Sequence, residues 1–246
     1  MRNTLGCRKI IGIILLISSI YILITPRAEA GIAFFTDEAE FMSVSSELLT
    51  QDFQSGKVSP GGDVLCSPII DENTNDDCFN PGDILPGIQF LNDPQVGGLL
   101  LVGSNADNNP FNVLLTFDQP DDFEIRFTST SVTAAGIDVG CFSMGPCNST
   151  VIVSVFGPGD EFLGETTVNA TNEFDSFIGI VSSDIITRVV ISGPPQIFEG
   201  IDRISFGAPS INIPALSMWG LLVVSIGLCI AGLIFIRIRS RAENYN

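Results

Sequence analysis

The sequence predicts an all-β fold for the central part of the chain: an antiparallel β-sandwich, jelly-roll-like, with one short N-terminal helix and a C-terminal transmembrane helix. Three observations predict it. About ten short apolar runs of strand-like composition recur through the middle of the sequence. Turn signals separate them, among them Asp118-Gln119-Pro120, Gly157-Pro158-Gly159-Asp160 and Gly193-Pro194-Pro195. Strict alternation at Val151, Val153 and Val155 has the period of a half-buried strand.

The elements follow in order. A short helix is expected from Asp37 to Leu49, because Asp37 can cap it and Glu40 stands three residues on in a capping-box pattern. The strand candidates are Gly87–Phe90, Gly98–Val102, Asn112–Phe117, Phe123–Thr128, Ala134–Cys141, Thr150–Phe156, Phe162–Val168, Phe177–Val181, Ile186–Ile191 and Ile201–Phe206. Short strands joined by Gly/Pro turns suggest a sandwich. No internal repeat is visible.

The two ends read as membrane-targeting segments. Arg2, Arg8 and Lys9 precede an apolar run from Ile10 to Ile24, and Ala28-Glu29-Ala30 supplies a small-x-small pattern. This is a three-part secretory signal over residues 1–30, with cleavage expected after Ala30. At the other end, Trp219 to Ile236 carries no charge and is long enough to span about 27 Å as a helix. Arg237, Arg239 and Arg241 follow. Basic residues stay cytoplasmic, so residues 237–246 are expected inside and the 31–209 domain outside the membrane. Residues 210–218 form the linker between them.

Charge and composition narrow the function. Of 28 acidic residues only Glu29 and Glu243 lie outside the central region, while only Lys57, Arg126, Arg188 and Arg203 among 11 basic residues lie inside it. The full chain carries −17 and the central region −22. Such a surface repels nucleic acid and attracts cations. The chain has no histidine, which removes Ser-His-Asp and Cys-His nucleophile pairs and histidine-ligated zinc. Trp219, Tyr21 and Tyr245 all lie in the end segments, so phenylalanine supplies every aromatic ring of the central domain. Phe has no polar handle and is usually buried, which counts against a sugar-binding surface built on amphipathic rings. A glycosidase needs only two positioned carboxylates, but with 26 acids a pair arises by chance.

Four cysteines fall in the central domain: Cys66, Cys78, Cys141 and Cys147. An even number in an exported domain favours disulfides. Each of the pairs Cys66–Cys78 and Cys141–Cys147 brackets one loop, which makes this the expected connectivity; the other two pairings stay open. Between the first two cysteines lies the best candidate for a hard cation such as calcium, with oxygen ligands at Asp71, Asn73, Asn75, Asp76 and Asp77. The spacing begins like a calcium loop. It then departs, with Asp76 where a glycine is expected and Gly82 where a bidentate glutamate belongs. The alternative is a solvated acidic loop tied by a disulfide.

Immediately before the C-terminal helix stand Ile213, Pro214, Ala215, Leu216, Ser217, Met218, Trp219 and Gly220. Motif, helix and basic cluster together resemble the IPTL-CTERM sorting domain of Gram-negative bacteria, with Ala215 in place of the usual threonine. The resemblance implies recognition by an exosortase-like membrane transpeptidase, transient anchoring in membrane lipid, and cleavage of the tail after transport. The central domain has a diffuse likeness to PEP-CTERM-type exported domains, carried by Gln51-Asp52-Phe53, Pro86 to Phe90, Ala135 to Asp138, Phe177 to Ile180 and Gly200 to Gly207. That likeness implies a β-sandwich and transfers no site residues. The leading expectation is a non-enzymatic protein of the cell surface or extracellular matrix. The alternatives are a calcium-dependent adhesion or glycan-binding domain and a carboxylate-based secreted glycoside hydrolase.

Overall fold

The computed structural model describes residues 31–93, 97–106, 109–117, 122–143 and 147–209. The chain divides into residues 1–209 and 210–246. The signal segment, the sorting motif and the C-terminal helix expected at 219–236 lie outside the described residues. Among those described, no helix is long and apolar enough to cross a membrane.

The order is β1 (Ile32–Phe35), α1 (Glu38–Val44), β2 (Leu49–Asp52), β3 (Asp63–Leu65), β4 (Ile69–Ile70), β5 (Ile88–Asp93), β6 (Leu99–Val102), β7 (Val113–Thr116), β8 (Asp122–Phe127), β9 (Ala134–Phe142), β10 (Asn148–Phe156), β11 (Phe162–Thr171), β12 (Ser176–Ser182), β13 (Arg188–Ser192) and β14 (Phe198–Gly207). All ten expected strands are present. The four short ones, β1 to β4, were not foreseen, because two to four residues are too few for alternation to register.

The helix is shorter than expected. Asp37 caps it by accepting from the Glu40 N–H at 2.8 Å, but it stops at Val44 rather than Leu49. The Ser45 hydroxyl turns back to the Phe41 carbonyl, Glu47 adopts a positive φ of 68°, and Leu49 to Asp52 pair with β14 instead. Pairing across a sheet overrides the local helical preference there.

The fold is β-sandwich-like. One layer has β14 at its centre, paired with β9, β2 and β7; β9 continues to β12 and β1, and β7 to β6 and β3. The other runs β11-β10-β13-β8-β5-β4. Among the described residues a single parallel bridge, Thr171 to Gly140, joins β11 to β9 and makes the sheet mixed; the other pairings there are antiparallel. The inner faces share one core. Val151, Val153 and Val155 of β10, Ile125 of β8 and Ile191 of β13 meet Ile137 and Val139 of β9 and Ile201, Ile204 and Phe206 of β14. Phe127 and Phe206 touch between the layers with ring centroids 5.6 Å apart.

Both expected disulfides form. Cys66–Cys78 and Cys141–Cys147 have Cα separations of 5.5 Å and 5.9 Å, within the range a disulfide spans.

Candidate functional site

The site is built where β2, β14 and β9 lie side by side. Arg203 of β14 stands opposite Asp52 of β2 on one side and Asp138 of β9 on the other. The ladder between β14 and β9 slips between Ile201 and Arg203, so Asp202 has no partner residue on β9. This is a β-bulge, a device that re-aims side chains. Ile201 and Ile204 both point into the core, and the two residues between them both face outward. The bulge therefore sets Asp202 and Arg203 next to each other on one face.

Neighbouring positions on the outer face of β9 are covered. Gly136 lies under Phe41 of α1, and Gly179 of β12 pairs with it; a Cβ on either would come within 2.6 Å of the Phe41 ring. Gly140 lies under Phe174 in the same way. Between these two covered glycines Asp138, its side chain 13 % exposed, borders the cleft. The result is a cleft of about 330 Å³ lined by Asp52, Gln54, Phe111, Asp138, Asp202 and Arg203. Phe111, 48 % exposed, stands at its lip. Gln54 exchanges hydrogen bonds with the Asn112 backbone (3.4 and 3.5 Å) and so ties the Phe111 loop to the end of β2.

Electrostatics hold the cleft in one arrangement. The Arg203 Nε donates to Asp138 Oδ2 at 2.7 Å, and its Nη2 to Glu38 Oε1 at 2.9 Å in the first turn of α1. The Asp138 hydrogen bond raises the Arg203 pKa further, against the opposing effect of burial. Burial pushes the Asp138 carboxyl up despite the guanidinium beside it. Asp202 is pushed up to about 7, first by burial and then by the Asp138 and Asp52 charges, with Arg203 opposing. Near neutral pH Asp202 therefore exists both as a hydrogen-bond donor and as an acceptor.

Glu199 is a second carboxyl raised to about 7, chiefly by burial. It accepts from the Thr116 hydroxyl at 3.3 Å and is 3 % exposed. It faces the core side of β14 and lies outside the cleft. A second hollow, about 500 Å³, is lined by Leu100, Val102, Phe142 and the Gly61–Asp63 turn and brings one carboxylate to an otherwise apolar and amide lining.

The residues singled out in the sequence as cation ligands lie elsewhere, and the oxygens of two of them, Asp71 and Asp76, are engaged by the loop and its neighbours. Asp76 accepts from the backbone N–H groups of Cys78, Phe79 and Ser67 at 2.8, 2.9 and 2.9 Å. Burial pulls its carboxyl up, but those N–H groups together outweigh it and hold the pKa below the usual range. Asp71 accepts from the Asn73 N–H at 2.9 Å and from the Gln89 amide at 3.2 Å. Asn73, Asn75 and Asp77 face solvent. Among the described residues no group of three or more His, Cys, Asp or Glu side chains is placed to hold a metal ion.

The cleft residues were within reach of the sequence in one respect. Strand alternation runs Ile201, Ile204, Phe206 along β14, and the spacing of three between the first two is the signature of an inserted residue. Nothing in the sequence pairs that insertion with Asp52 or Asp138.

The fold and cleft define a β-sandwich-like domain with an outward-facing polar site on its strands. No family model matches the chain, and no curated protein matches it. Among solved structures the chain is similar to a glycoside hydrolase family 43 arabinoxylan arabinofuranohydrolase from Bacillus subtilis, at 13 % identity and a TM-score of 0.30, over 46 % of this chain and 25 % of that one. It is similar to a family 6 carbohydrate-binding module at 15 % identity and a TM-score of 0.26, over 46 % of this chain and 82 % of that one. It is also similar to CsCBM6-3 from Clostridium stercorarium, at 13 % identity and a TM-score of 0.25, over 40 % and 76 % of the two chains. Likenesses of this size carry no argument about what this chain binds.

Proposed function

We propose that the protein is an exported, non-enzymatic surface or matrix protein whose jelly-roll-like domain binds a neutral, hydroxyl-rich ligand, a glycan, in the Arg203 cleft. One observation carries the reading: the bulge that sets Asp202 beside Arg203, between Asp52 and Asp138, in an open cleft with a half-exposed ring at its lip. Carboxylates accept from hydroxyl groups, a guanidinium donates to them, and a phenyl face covers the C–H face of a sugar. Binding sites of this kind combine an apolar wall with a few fixed polar groups. The ion pairs of Arg203 fix those groups before a ligand arrives, which lowers the cost of binding. The absence of Trp and Tyr is met here by Phe111 together with charged donors and acceptors. Export rests on the Ala28-Glu29-Ala30 signal, and delivery by an exosortase-like transpeptidase rests on Ile213 to Gly220 and the basic tail.

A glycan array probed with the mature exported chain, with calcium and with chelator, tests the reading. The expected result is a hit that Asp138→Asn and Arg203→Met each weaken at least about tenfold, the size expected for losing a charge-assisted hydrogen bond. Unchanged binding by both variants, with their thermal melts intact, would overturn it.

The raised Asp202 favours a second reading. A carboxyl that holds its proton near neutral pH, with two further carboxyl groups in one cleft, is what acid-base glycoside hydrolysis uses. Release of reducing ends from a polysaccharide panel, lost in Asp202→Asn, would support a hydrolase. A panel with no turnover removes it.

A further inference from the structure

The second layer carries a row of planar side chains across five adjacent strands. Gln89 of β5 stands opposite Arg126 of β8, Arg126 opposite Arg188 of β13, Arg188 opposite Phe156 of β10, and Phe156 opposite Phe162 of β11. Their strand neighbours Phe90, Ile125, Val189 and Val155 are core residues, so the row lies on the outer face. Phe162 is 55 % exposed and Arg126 is 44 % exposed. Four strand spacings of about 4.8 Å make the row about 19 Å long.

The members of the row hold one another in place. The Arg188 guanidinium lies over the Phe156 ring, 4.0 Å from its centroid, and Phe162 meets Phe156 edge-on at 5.8 Å. Gln89 is pinned by its amide to Asp71. The charges are matched as well. Buried Glu124 pairs with Arg126 and lies 3.8 Å from Arg188, and Asp160 pairs with Arg188 at 3.1 Å. Two of the four basic residues of a domain carrying −22 are thus gathered on one face and neutralised there. With charge cancelled, what the row offers a partner is N–H donors and, at its end, the exposed Phe162 ring.

We infer that this row is an extended binding face for an uncharged linear polysaccharide lying across the strands, separate from the Arg203 cleft. An anionic chain meets the repulsion of the surrounding acidic surface and gains no unmatched cation in return. An uncharged chain meets neither, and it can stack a ring on the exposed Phe162 while accepting from Arg126.

Affinity electrophoresis of the mature chain tests this in gels containing hydroxyethyl cellulose, a neutral mannan, a neutral xylan or polygalacturonate. Retardation is expected in at least one neutral gel and not in polygalacturonate. It should be unchanged between 50 and 500 mM salt on the order of the screening range. Phe162→Ala and Arg126→Ala should each weaken it at least about fivefold, the effect of losing one stacking or hydrogen-bonding contact. The comparison is made in an Arg203→Met, Asp138→Asn background, which removes the cleft's own contribution: retardation should persist there and should fall with Phe162→Ala or Arg126→Ala. No retardation in any neutral gel, tighter and salt-sensitive retardation by polygalacturonate, or loss only with the cleft variants would each overturn the inference. Phe162 and Arg126 are both exposed, and a matching thermal melt for each variant confirms that the comparison is between folded proteins.

Discussion

In the Asp71–Asp77 loop the carboxylates of Asp71 and Asp76 turn onto the chain's own backbone, whereas on β2, β9 and β14 they turn outward around a guanidinium. Asp76 satisfies three N–H groups of a disulfide-tied loop, and its pKa falls. Asp202 sits in a cleft among other carboxyl groups, and its pKa rises to about 7. The same functional group is structural in one place and available in the other. Burial pushes both carboxyl groups up; backbone donors outweigh it at Asp76, whereas neighbouring acids add to it at Asp202. Counting acids in the sequence favoured the loop. Geometry favours the strands.

The largest effect expected from this contrast comes from untying the loop. Replacing Cys66 and Cys78 with serine should cost about 3 kcal/mol of stability for a loop of about 13 residues. Denaturant unfolding measures that cost, and ligand binding at the cleft should be unaffected. Asp76→Ala leaves three backbone donors without their acceptor and should cost about 2 to 3 kcal/mol, again without effect on binding. Were either change to abolish binding with the fold intact, the loop would have to be part of the site.

The pH response separates the two regions by sign. Asp76 has a lowered folded-state pKa, so its contribution is present above the ordinary value of 3.8 and is lost as pH falls through the folded value. Asp202 is the reverse. Between 3.8 and about 7 the folded chain holds a proton that the unfolded chain releases, so stability falls as pH rises through that window. Glu199 acts the same way from 4.5 to about 7. Asp202→Asn should therefore flatten part of this slope and stabilise the domain at pH 8 by roughly 1 to 2 kcal/mol, after discounting for the partial exposure of the carboxyl. Thermal melts from pH 4 to 8 measure it; a steeper slope in the variant would contradict the assignment.

The smallest effects belong to the outward-facing side chains of the loop. Asn73→Ala, Asn75→Ala and Asp77→Asn should each change stability by less than about 0.5 kcal/mol, in millimolar calcium and in chelator alike. A calcium-dependent melt that these variants erase would restore the loop as a cation site.

Much of the fold was legible because alternation and turn chemistry act locally. Val151, Val153 and Val155 do face the core, and Asp37 does cap the helix. The disulfides were legible because each pair brackets one short loop. The early end of the helix was not, since it depends on Leu49 to Asp52 pairing with β14, about 155 residues away. The cleft was hidden for the same reason: its carboxyl groups come from three strands distant in sequence. Burial of Phe41, Phe53, Phe79, Phe90 and Phe123 follows from hydrophobicity alone. That Phe111 and Phe162 stand out in solvent is a consequence of register and loop position, which composition does not carry.

The bulge at Asp202 has a consequence for how such a domain changes over time. Without that residue, Ile201 would still face Val139, Arg203 would still face Asp138, and Ile204 would still point inward. The ladder would simply become continuous. Loss of a single codon therefore removes the acid beside Arg203 while leaving the packing of the sandwich as it was. Its insertion does the opposite. A domain arranged in this way can gain or give up the carboxyl beside Arg203 in one step without having to refold around the change.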